Sequence, residues 1–486
     1  LDLCDEMGIL VWDECFDKWD GTAGRCPDQK LEDYVVRNLD AFVRRDRNHP
    51  CVFCYSTGNE IPPANCKKDN WGGGSPDGHT PERNALFAWT IRAADPTRAT
   101  AMGCSWTNGV PLGNYDGYDL TGWNYTELYQ RMHARKPFMP LVYSESASAL
   151  SGYGEYATGA PADVKSFSTR RLFAFDWKTK EVDSYDSLAA PWSDIPDVEF
   201  ARMERDRFVG GEFVWTGIDY LGEPTPWSQG MFGGEGFAKD ETTTSENMSR
   251  SSYFGIVDLC GIPKDRYYLY RSHWNVKSET THLVPQHWNW ESGAKVPVFV
   301  YTSGDEAELF LNGKSLGRRK KGTNQARGGN FTDPYYAVCD KYRLMWFDVP
   351  FAAGELKAVS YRDGRQVGTD VVRTCGSLAA VRLTPEAKTL PDDGESVVFV
   401  QVDVTDEKGV RDPRAENRVS FAVAGPAKIL AVGNGNARGL DSFKDVSSHP
   451  LYKGKAVVVL RRDKGAKETV TLTASADGLK EGKVAF

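Results

Sequence analysis

The sequence lacks any apolar run long enough to cross a membrane. No stretch of its 486 residues approaches the roughly 20 uninterrupted apolar residues that a transmembrane helix needs. It also lacks a basic excess, because 59 Lys and Arg stand against 67 Asp and Glu for a formal net charge of −8. A phosphate backbone attracts a basic face, so this balance argues against nucleic acid as a partner. Neutral ligands, uncharged sugars among them, are compatible with it.

Several kinds of catalytic motif are also missing. The chain contains no glycine-rich phosphate loop, no H-E-x-x-H, and no G-x-S-x-G around Ser56 or Ser144. Its seven histidines are scattered and form no ligand cluster. Cys51 and Cys54 form a C-x-x-C, but residues three apart on an extended strand point to opposite faces and cannot share one metal. We therefore predict no metal site.

The ten cysteines do not form a disulfide framework. Seven of them precede residue 110, several inside apolar, strand-like runs. Buried free thiols are the leading interpretation, and one disulfide among Cys15, Cys26 and Cys66 is the alternative. The chain begins at Leu1 with no basic-then-apolar export segment, and its first residues already resemble the middle of a domain.

Helix-like and strand-like segments alternate over the first 280 residues. Apolar periodicity predicts helices over 28–48 and 81–95. Such alternation predicts a parallel sheet with crossover helices, and (β/α)₈ barrels gather their active sites at the carboxyl ends of the strands. Six strands are two fewer than a closed barrel needs, and we expect the first two to lie upstream of Leu1. The six strand ends are Asp13-Glu14, Asn59-Glu60, Trp106, Asn124-Tyr125, Glu145, and Trp215 with Asp219.

Short alternating strands replace this pattern after about residue 280. An Asn312-Gly313 pair between two of them is a hairpin signal. We predict a multidomain chain: a (β/α)₈ TIM-type barrel portion with strands 3 to 8 over 1–280, then two all-β immunoglobulin-like sandwiches over 281–375 and 376–486. For both sandwiches, structural packing is favoured over independent sugar binding.

Two glutamates at strand ends match the requirements of glycoside hydrolysis. The reaction uses two carboxyl groups that flank the anomeric carbon, about 5–5.5 Å apart in retaining enzymes. Glu60 and Glu145 end different strands of one predicted barrel, so this separation is attainable although 85 positions separate them in sequence.

The stretches around both glutamates resemble a known family. RDRNHPCVFCYSTGNE (45–60) closely resembles the signature of glycoside hydrolase family 2, and MPLVYSESASALSGYGEY (139–156) resembles the family's nucleophile strand. Three further stretches, which match the family in the same order, are DLCDEMGILVWDE (2–14), FVGGEFVWTGIDYLGEPTPW (208–227) and RSSYFGIVDLCGIPKDRYYLYRSHW (250–274). The resemblance implies further sandwich domains and the first two barrel strands upstream of Leu1.

The resemblance implies a role for each residue that matches a family motif. Glu60 is the general acid/base, which must carry a proton when substrate arrives, and Glu145 beside it is the ionised nucleophile. Asn59 is the expected partner of the sugar 2-hydroxyl, and Tyr125 the tyrosine that orients the nucleophile. Trp215 corresponds to the aromatic residue that lines the glycone subsite.

Further strand-end residues are weaker candidates. Asn124, Trp106 and Asp219 are predicted to bind substrate, with structural support of the site as the alternative. Asp13 and Glu14 are expected to form ion pairs rather than to contact substrate.

The expected activity is hydrolysis of terminal non-reducing β-D-glycosides, β-galactosides first, with retention of configuration. β-Glucuronides and β-mannosides are alternatives within the family. The Asn-x-Lys motif usual in its glucuronidases is absent from ENMSRSSYFG (246–255). An inactive carbohydrate-binding fragment is the alternative from another class, because the barrel is incomplete.

The resemblance also bears on cofactors, partners and location. It implies a glycoside or oligosaccharide substrate and no required cofactor, although some members hold Mg²⁺ or Na⁺ near the site. A homo-oligomeric state is compatible with the resemblance, and the family suggests a periplasmic or secreted bacterial enzyme.

Overall fold

The computed structural model describes residues 1–19, 28–64, 75–156, 181–190, 192–225, 248–323 and 334–486. The chain divides into two compact units. The first comprises 1–148, 192–194 and 199–215, and the second comprises 149–191, 195–198 and 216–486.

A parallel sheet of six strands forms the centre of the first unit. In chain order, the strands up to residue 215 are β1 (Val11–Glu14), β2 (Val52–Asn59), β3 (Ala99–Cys104), β4 (Thr121–Asn124), β5 (Leu141–Ser146), the short pair β6 (Ala149–Leu150) and β7 (Leu188–Ala189), and β8 (Val209–Val214). The sheet order is β1-β2-β3-β4-β5-β8, with every neighbouring pair parallel. All six carboxyl ends therefore lie along one edge, as in a (β/α)₈ barrel, and the predicted fold class is confirmed.

Helices connect these strands. They are α1 (Asp2–Met7), α2 (Leu31–Asp46), α3 (Pro81–Ala94), α4 (Tyr129–Arg135) and α5 (Pro196–Arg205). The two helices predicted from periodicity, α2 and α3, begin and end within three residues of the expected positions.

Local sequence explains why α2 and α3 form. In α2, the apolar residues Leu31, Val35, Leu39 and Val43 recur every fourth position and are buried. In α3, the side chain of Thr80 caps the first turn by accepting a hydrogen bond from the backbone N–H of residue 83 at 3.1 Å.

Both faces of the sheet are covered, which accounts for the nearly continuous apolar strands. One face packs against the helices through residues such as Val52, Tyr55 and Met102. The other face carries a smaller cluster that includes Cys54 and Ala101.

Antiparallel β-sheets dominate the second unit. Its strands from residue 281 onward are β9 (Thr281–Val284), β10 (Lys295–Thr302), β11 (Glu306–Leu311), β12 (Lys314–Lys320), β13 (Arg343–Pro350), β14 (Glu355–Arg362), β15 (Arg365–Arg373), β16 (Leu378–Pro385), β17 (Val398–Asp406), β18 (Arg418–Ala424), β19 (Ala427–Gly433), β20 (Ser448–Pro450), β21 (Lys455–Arg462), β22 (Thr471–Ser475) and β23 (Gly482–Ala485). Two helices accompany them, α6 (Asp265–Trp274) and α7 (Pro334–Tyr342).

These strands pair into four sheets, in the orders β13-β10-β9, β12-β11-β14-β15, β16-β17-β21-β19 and β20-β18-β22-β23. One apolar core joins the first two sheets, through Val298 and Leu309 among others, and a second core joins the last two, through Val400 and Leu472 among others. Two β-rich layered regions therefore follow the barrel sheet, as predicted. The boundaries at residues 281 and 376 stay predictions.

The Asn312-Gly313 hairpin is confirmed. Both residues have left-handed backbones, with φ of 49° and 80°, and they connect β11 to β12 in a two-residue turn.

The cysteines of the described residues carry free thiols, namely Cys4, Cys15, Cys51, Cys54, Cys104, Cys260, Cys339 and Cys375. Cys26 and Cys66, which belong to the alternative disulfide set, lie outside the described residues. Within the described part of the chain, no helix combines the length and apolarity needed to span a bilayer.

Candidate active site

The carboxyl ends of β2, β4 and β5 bring Glu60, Asn124 and Glu145 together. The amide nitrogen of Asn124 lies 3.2 Å from Glu60 Oε1 and 2.8 Å from Glu145 Oε1. Two oxygens this close to one nitrogen cannot be more than about 6 Å apart. Two glutamates distant in sequence thus form a carboxyl pair around a shared amide.

Asn124 has more acceptors than hydrogens. Its side chain is fully buried, and its nitrogen lies 2.9 Å from Asn59 Oδ1 as well as within reach of both glutamates. An amide nitrogen has two hydrogens, so the two shortest contacts, to Glu145 and Asn59, account for both. Glu60 has the longest of the three contacts.

Tyr125 is the second donor to Glu145. Its hydroxyl donates to Glu145 Oε2, and its backbone N–H donates to the Glu145 carbonyl at 2.8 Å. Tyr125, Thr126 and Glu127 all have left-handed backbones, with φ of 55°, 45° and 60°. Such conformations are costly for residues other than glycine, and they cluster at functional sites. This left-handed turn after β4 directs the phenol towards the carboxylate.

The backbone of Glu60 is held at both of its polar groups. Its φ is 48°, its N–H donates to the Gly103 carbonyl at 3.0 Å, and its carbonyl accepts from Trp106 Nε1 at 3.0 Å. The indole N–H of Trp106 therefore helps to position Glu60, and the substrate-binding role predicted for Trp106 stays a prediction.

Burial and the neighbouring charge of Glu60 raise the pKa of Glu145 to about 8, and the hydrogen bond from Tyr125 opposes this increase. The sequence led us to expect an ionised Glu145. Two carboxyl groups at this distance disfavour each other's ionisation, and this repulsion adds to the effect of burial on Glu145.

Glu14 is a third carboxyl group near the pair. Burial raises the pKa of Glu14, and hydrogen bonds from Ser56 Oγ at 2.7 Å and Trp12 Nε1 at 3.3 Å oppose the increase. The ion pair expected for Glu14 stays a prediction, and the hydrogen bonds found for its carboxylate among the described residues come from Ser56 and Trp12. A Cβ on Gly103 would lie 3.4 Å from Glu14 Oε2 and 3.2 Å from Asn59 Oδ1, so glycine leaves room for both.

The remaining predicted residues differ in their surroundings. Asn59 ends β2, its Oδ1 accepts from Asn124, and its Nδ2 donates to Asp17 at 3.3 Å. Trp215 directly follows β8, and its backbone N–H donates to the Ser146 carbonyl at 2.9 Å, at the end of β5.

Asp219 lies in the second unit, where it forms a buried ion pair. Its Oδ2 is 2.6 Å from Lys264 Nζ, with 5% and 2% of the two side chains exposed, and its Oδ1 accepts from the Gly255 N–H at 2.7 Å. These contacts are those of a structural carboxylate.

Sequence reasoning missed two polar contributors. Ser144 Oγ donates to Asn124 Oδ1 at 2.7 Å, and Lys18 Nζ donates to the Asn59 carbonyl at 2.9 Å and pairs with Asp17. The position of Ser144 immediately before Glu145 was the only available signal, and a regular strand would have directed it away from the site. Nothing in the sequence pattern singled out Lys18.

One group of side chains in the described residues could hold a metal ion, Asp2, Asp5 and His49 around α1. Asp5 already accepts from the Cys51 N–H at 2.7 Å and lies 2.7 Å from His49 Nδ1. The group does not include either strand-end glutamate.

Comparison with known proteins identifies two regions of the chain. A profile described as "Glycosyl hydrolases family 2, TIM barrel domain" matches residues 1–147, and one described as "Glycoside hydrolase family 2 C-terminal domain 5" matches residues 381–485. A domain of unknown function matches residues 293–368.

Individual relatives cover the chain to different extents. It is 34% identical to a protein named "Beta-galactosidase BoGH2A" from Bacteroides ovatus, over 99% of this chain and 55% of that protein. It is 29% identical to a "Beta-glucuronidase" from Formosa agariphila, over 47% of this chain and 21% of that protein. A solved β-glycosidase from Bacteroides vulgatus matches all of this chain and 57% of its own, at 26% identity and a TM-score of 0.76. The chain therefore spans little more than half the length of the Bacteroides ovatus and Bacteroides vulgatus proteins.

Proposed function

The chain belongs to glycoside hydrolase family 2, and from that membership we propose that it carries the catalytic centre of a retaining β-glycosidase. The proposed reaction is hydrolysis of terminal non-reducing β-D-glycosides, with Glu145 as nucleophile and Glu60 as acid/base.

The separation of the two carboxyl groups is the observation that carries this proposal. Their Asn124-bound oxygens lie no more than about 6 Å apart. Retaining enzymes need about 5–5.5 Å for direct attack, whereas inverting enzymes need about 6.5–9.5 Å to admit a water molecule. The pair in this chain supports the retaining geometry.

In the first step, Glu145 attacks the anomeric carbon while Glu60 gives its proton to the departing glycosidic oxygen. A glycosyl ester of Glu145 forms, and the alcohol leaves. Esterification removes the negative charge beside Glu60, so Glu60 can ionise and accept a proton from water. That water then attacks the ester, which releases the sugar and returns the proton to the pair.

The hydrogen-bond donors support this division of roles. Glu145 accepts hydrogen bonds from the side chains of Asn124 and Tyr125, and two donors favour the ionised form of a carboxyl group. Among the described residues, Glu60 has the longer contact to Asn124, at 3.2 Å, and in the proposed mechanism it carries the proton. Burial raises the pKa of Glu145 to about 8. The proposed mechanism nevertheless requires Glu145 to be ionised, and therefore the proton to reside on Glu60, when substrate binds.

β-Galactosides are the proposed substrates, because the relative with 34% identity over nearly the whole chain is named a β-galactosidase. β-Glucuronides are the second candidate, because other relatives are named β-glucuronidases. The absence of an Asn-x-Lys motif from residues 246–255 favours the first. β-Mannosides remain a third candidate on the family resemblance alone.

A panel of p-nitrophenyl β-D-glycosides tests the proposal on the full-length protein. We expect the galactoside to give the highest kcat/KM, and turnover to disappear in Glu60→Gln and in Glu145→Gln. The control is Glu82→Gln, which changes an exposed glutamate in the first turn of α3 and should retain activity. Sugar binding without hydrolysis would instead favour a carbohydrate-binding protein, and preference for the glucuronide would reassign the glycone.

A further inference from the structure

The nucleophile strand contains an irregularity immediately before Glu145. Between β4 and β5, Trp123 pairs with Tyr143 and Asn124 pairs with Glu145, so Ser144 has no partner of its own. Two residues of β5 thus oppose one residue of β4, which is a β-bulge, and bulges redirect side chains next to functional sites. Successive side chains on a regular strand point to opposite faces. Here Ser144 and Glu145 both contact Asn124.

The two contacts act on opposite ends of one rigid group. Ser144 Oγ donates to Asn124 Oδ1 at 2.7 Å, while Asn124 Nδ2 donates to Glu145 at 2.8 Å and lies 3.2 Å from Glu60. Because an amide is planar, fixing its oxygen also fixes the directions of both N–H bonds. Asn124 is fully buried, so bulk water cannot replace the serine as donor.

The neighbouring strands leave room for this hydroxyl. A Cβ on Gly122 in β4 would lie 2.6 Å from Ser144 Oγ, and a Cβ on Gly103 in β3 would lie 3.6 Å from it. Contacts below about 3 Å are not found for real Cβ atoms, so a side chain at Gly122 would displace the serine. The hydroxyl therefore occupies a slot that depends on glycine.

We propose that Ser144 is a positioning residue for the reaction, which acts on the carboxyl pair through the amide of Asn124. This inference rests on the glycosidase function proposed above. Ser144 makes and breaks no bond to substrate. It holds Asn124 so that one N–H points at Glu145, which stabilises the ionised nucleophile, while the other N–H points at Asn59.

Ser144→Ala tests the proposal in the full-length protein. We expect kcat to fall about 10-fold, equivalent to about 1.4 kcal/mol, with KM changed far less. Losing a fixed donor to the Glu145 carboxylate should also move the pH profile of kcat/KM to higher pH. Packing damage alone would not produce that shift.

Ser146→Ala is the matched control. Ser146 lies on the same strand and is fully buried, but its hydroxyl donates to Glu212 at 2.8 Å. Its removal should lower the melting temperature about as much as Ser144→Ala and leave the pH profile in place. Equal effects of both variants on kcat and on the pH profile would overturn the proposal.

A double-mutant cycle separates action through Asn124 from an independent effect. If Ser144 acts through the amide, Ser144→Ala should cause no further loss of kcat in an Asn124→Ala background. Full additivity of the two losses would contradict the proposal.

An infrared titration distinguishes failure of this inference from failure of the proposed function. The Glu145 carboxyl band, identified by its loss in Glu145→Gln, should titrate at higher pH in Ser144→Ala than in the wild type, whether or not turnover occurs. An unchanged titration would overturn the positioning role. Absence of wild-type turnover on every glycoside, with the shifted titration present, would overturn only the glycosidase proposal.

Discussion

Replacing Tyr125 with Phe tests how the nucleophile is kept ionised. The variant removes one hydroxyl, which donates to Glu145 Oε2. A hydrogen bond to a charged group contributes about 1.5–3 kcal/mol, and 1.36 kcal/mol corresponds to one pKa unit. Loss of this donor should therefore raise the pKa of Glu145 by about one to two units.

The sign of the effect on activity follows from the single proton that the pair holds. The reactive form has Glu60 protonated and Glu145 ionised, so activity falls at low pH when a second proton binds and at high pH when the last proton leaves. Burial raises the pKa of Glu145, so the acid side of the kcat/KM profile, where Glu145 takes up the second proton, should lie at higher pH than for an ordinary carboxyl group. Glu145 is ionised both before and after the last proton leaves Glu60, so Tyr125→Phe should move the acid side of the bell to higher pH and leave the alkaline side nearly in place.

The assay is the pH profile of kcat/KM on the best p-nitrophenyl glycoside. The same hydrogen-bond free energy predicts that kcat at the pH optimum falls about 10- to 100-fold. Tyr129→Phe is the matched control. Tyr129 lies in α4, the helix that follows Tyr125, and its Oη donates to Asp206 Oδ2 at 2.7 Å. That variant should lose stability and keep the wild-type pH profile. A Tyr125→Phe profile that moves to lower pH, or not at all, would refute this account of the nucleophile.

Three other outcomes are expected. Trp106→Phe removes the indole N–H that binds the Glu60 carbonyl, so kcat should fall about 2- to 10-fold with little change in KM, and unchanged kinetics would contradict the positioning of Glu60 by Trp106. Glu145→Ala with added azide should form the α-glycosyl azide, because the anion fills the vacated nucleophile position, and a β-azide identified by NMR would exchange the two glutamate roles. Asp219→Asn leaves the Lys264 charge buried without its partner, so the free energy of unfolding measured by urea denaturation should fall by about 3–5 kcal/mol. A loss below about 1 kcal/mol would contradict a structural ion pair.

The barrel sheet was predicted from the alternation of strand-like and helix-like segments. The two glutamates could be placed at the same edge of the sheet because parallel strands align their carboxyl termini along one edge. The extent of α2 followed from apolar spacing. These features are local, and local patterns encode them directly.

The finer arrangement of the site depends on irregular backbone that sequence patterns do not encode. The bulge at Ser144 brings two adjacent side chains to one neighbour, which contradicts the period of two assumed for a strand. The left-handed turn at Tyr125 and the left-handed backbone of Glu60 are strained conformations held by tertiary hydrogen bonds. The buried ion pair of Asp219 with Lys264 was not predicted, since a carboxylate after a strand can bind substrate or pair with a lysine, and the predicted substrate contact of Asp219 stays a prediction.

The stereochemistry of hydrolysis tests the central claim most directly. Proton NMR of the anomeric signals, recorded as the full-length protein hydrolyses its best β-glycoside, reveals which anomer is released before mutarotation. Carboxyl oxygens held within about 6 Å by Asn124 predict a double displacement, so the β-anomer should appear first. First release of the α-anomer would mean that water attacks directly, and it would contradict the assignment of Glu145 as nucleophile.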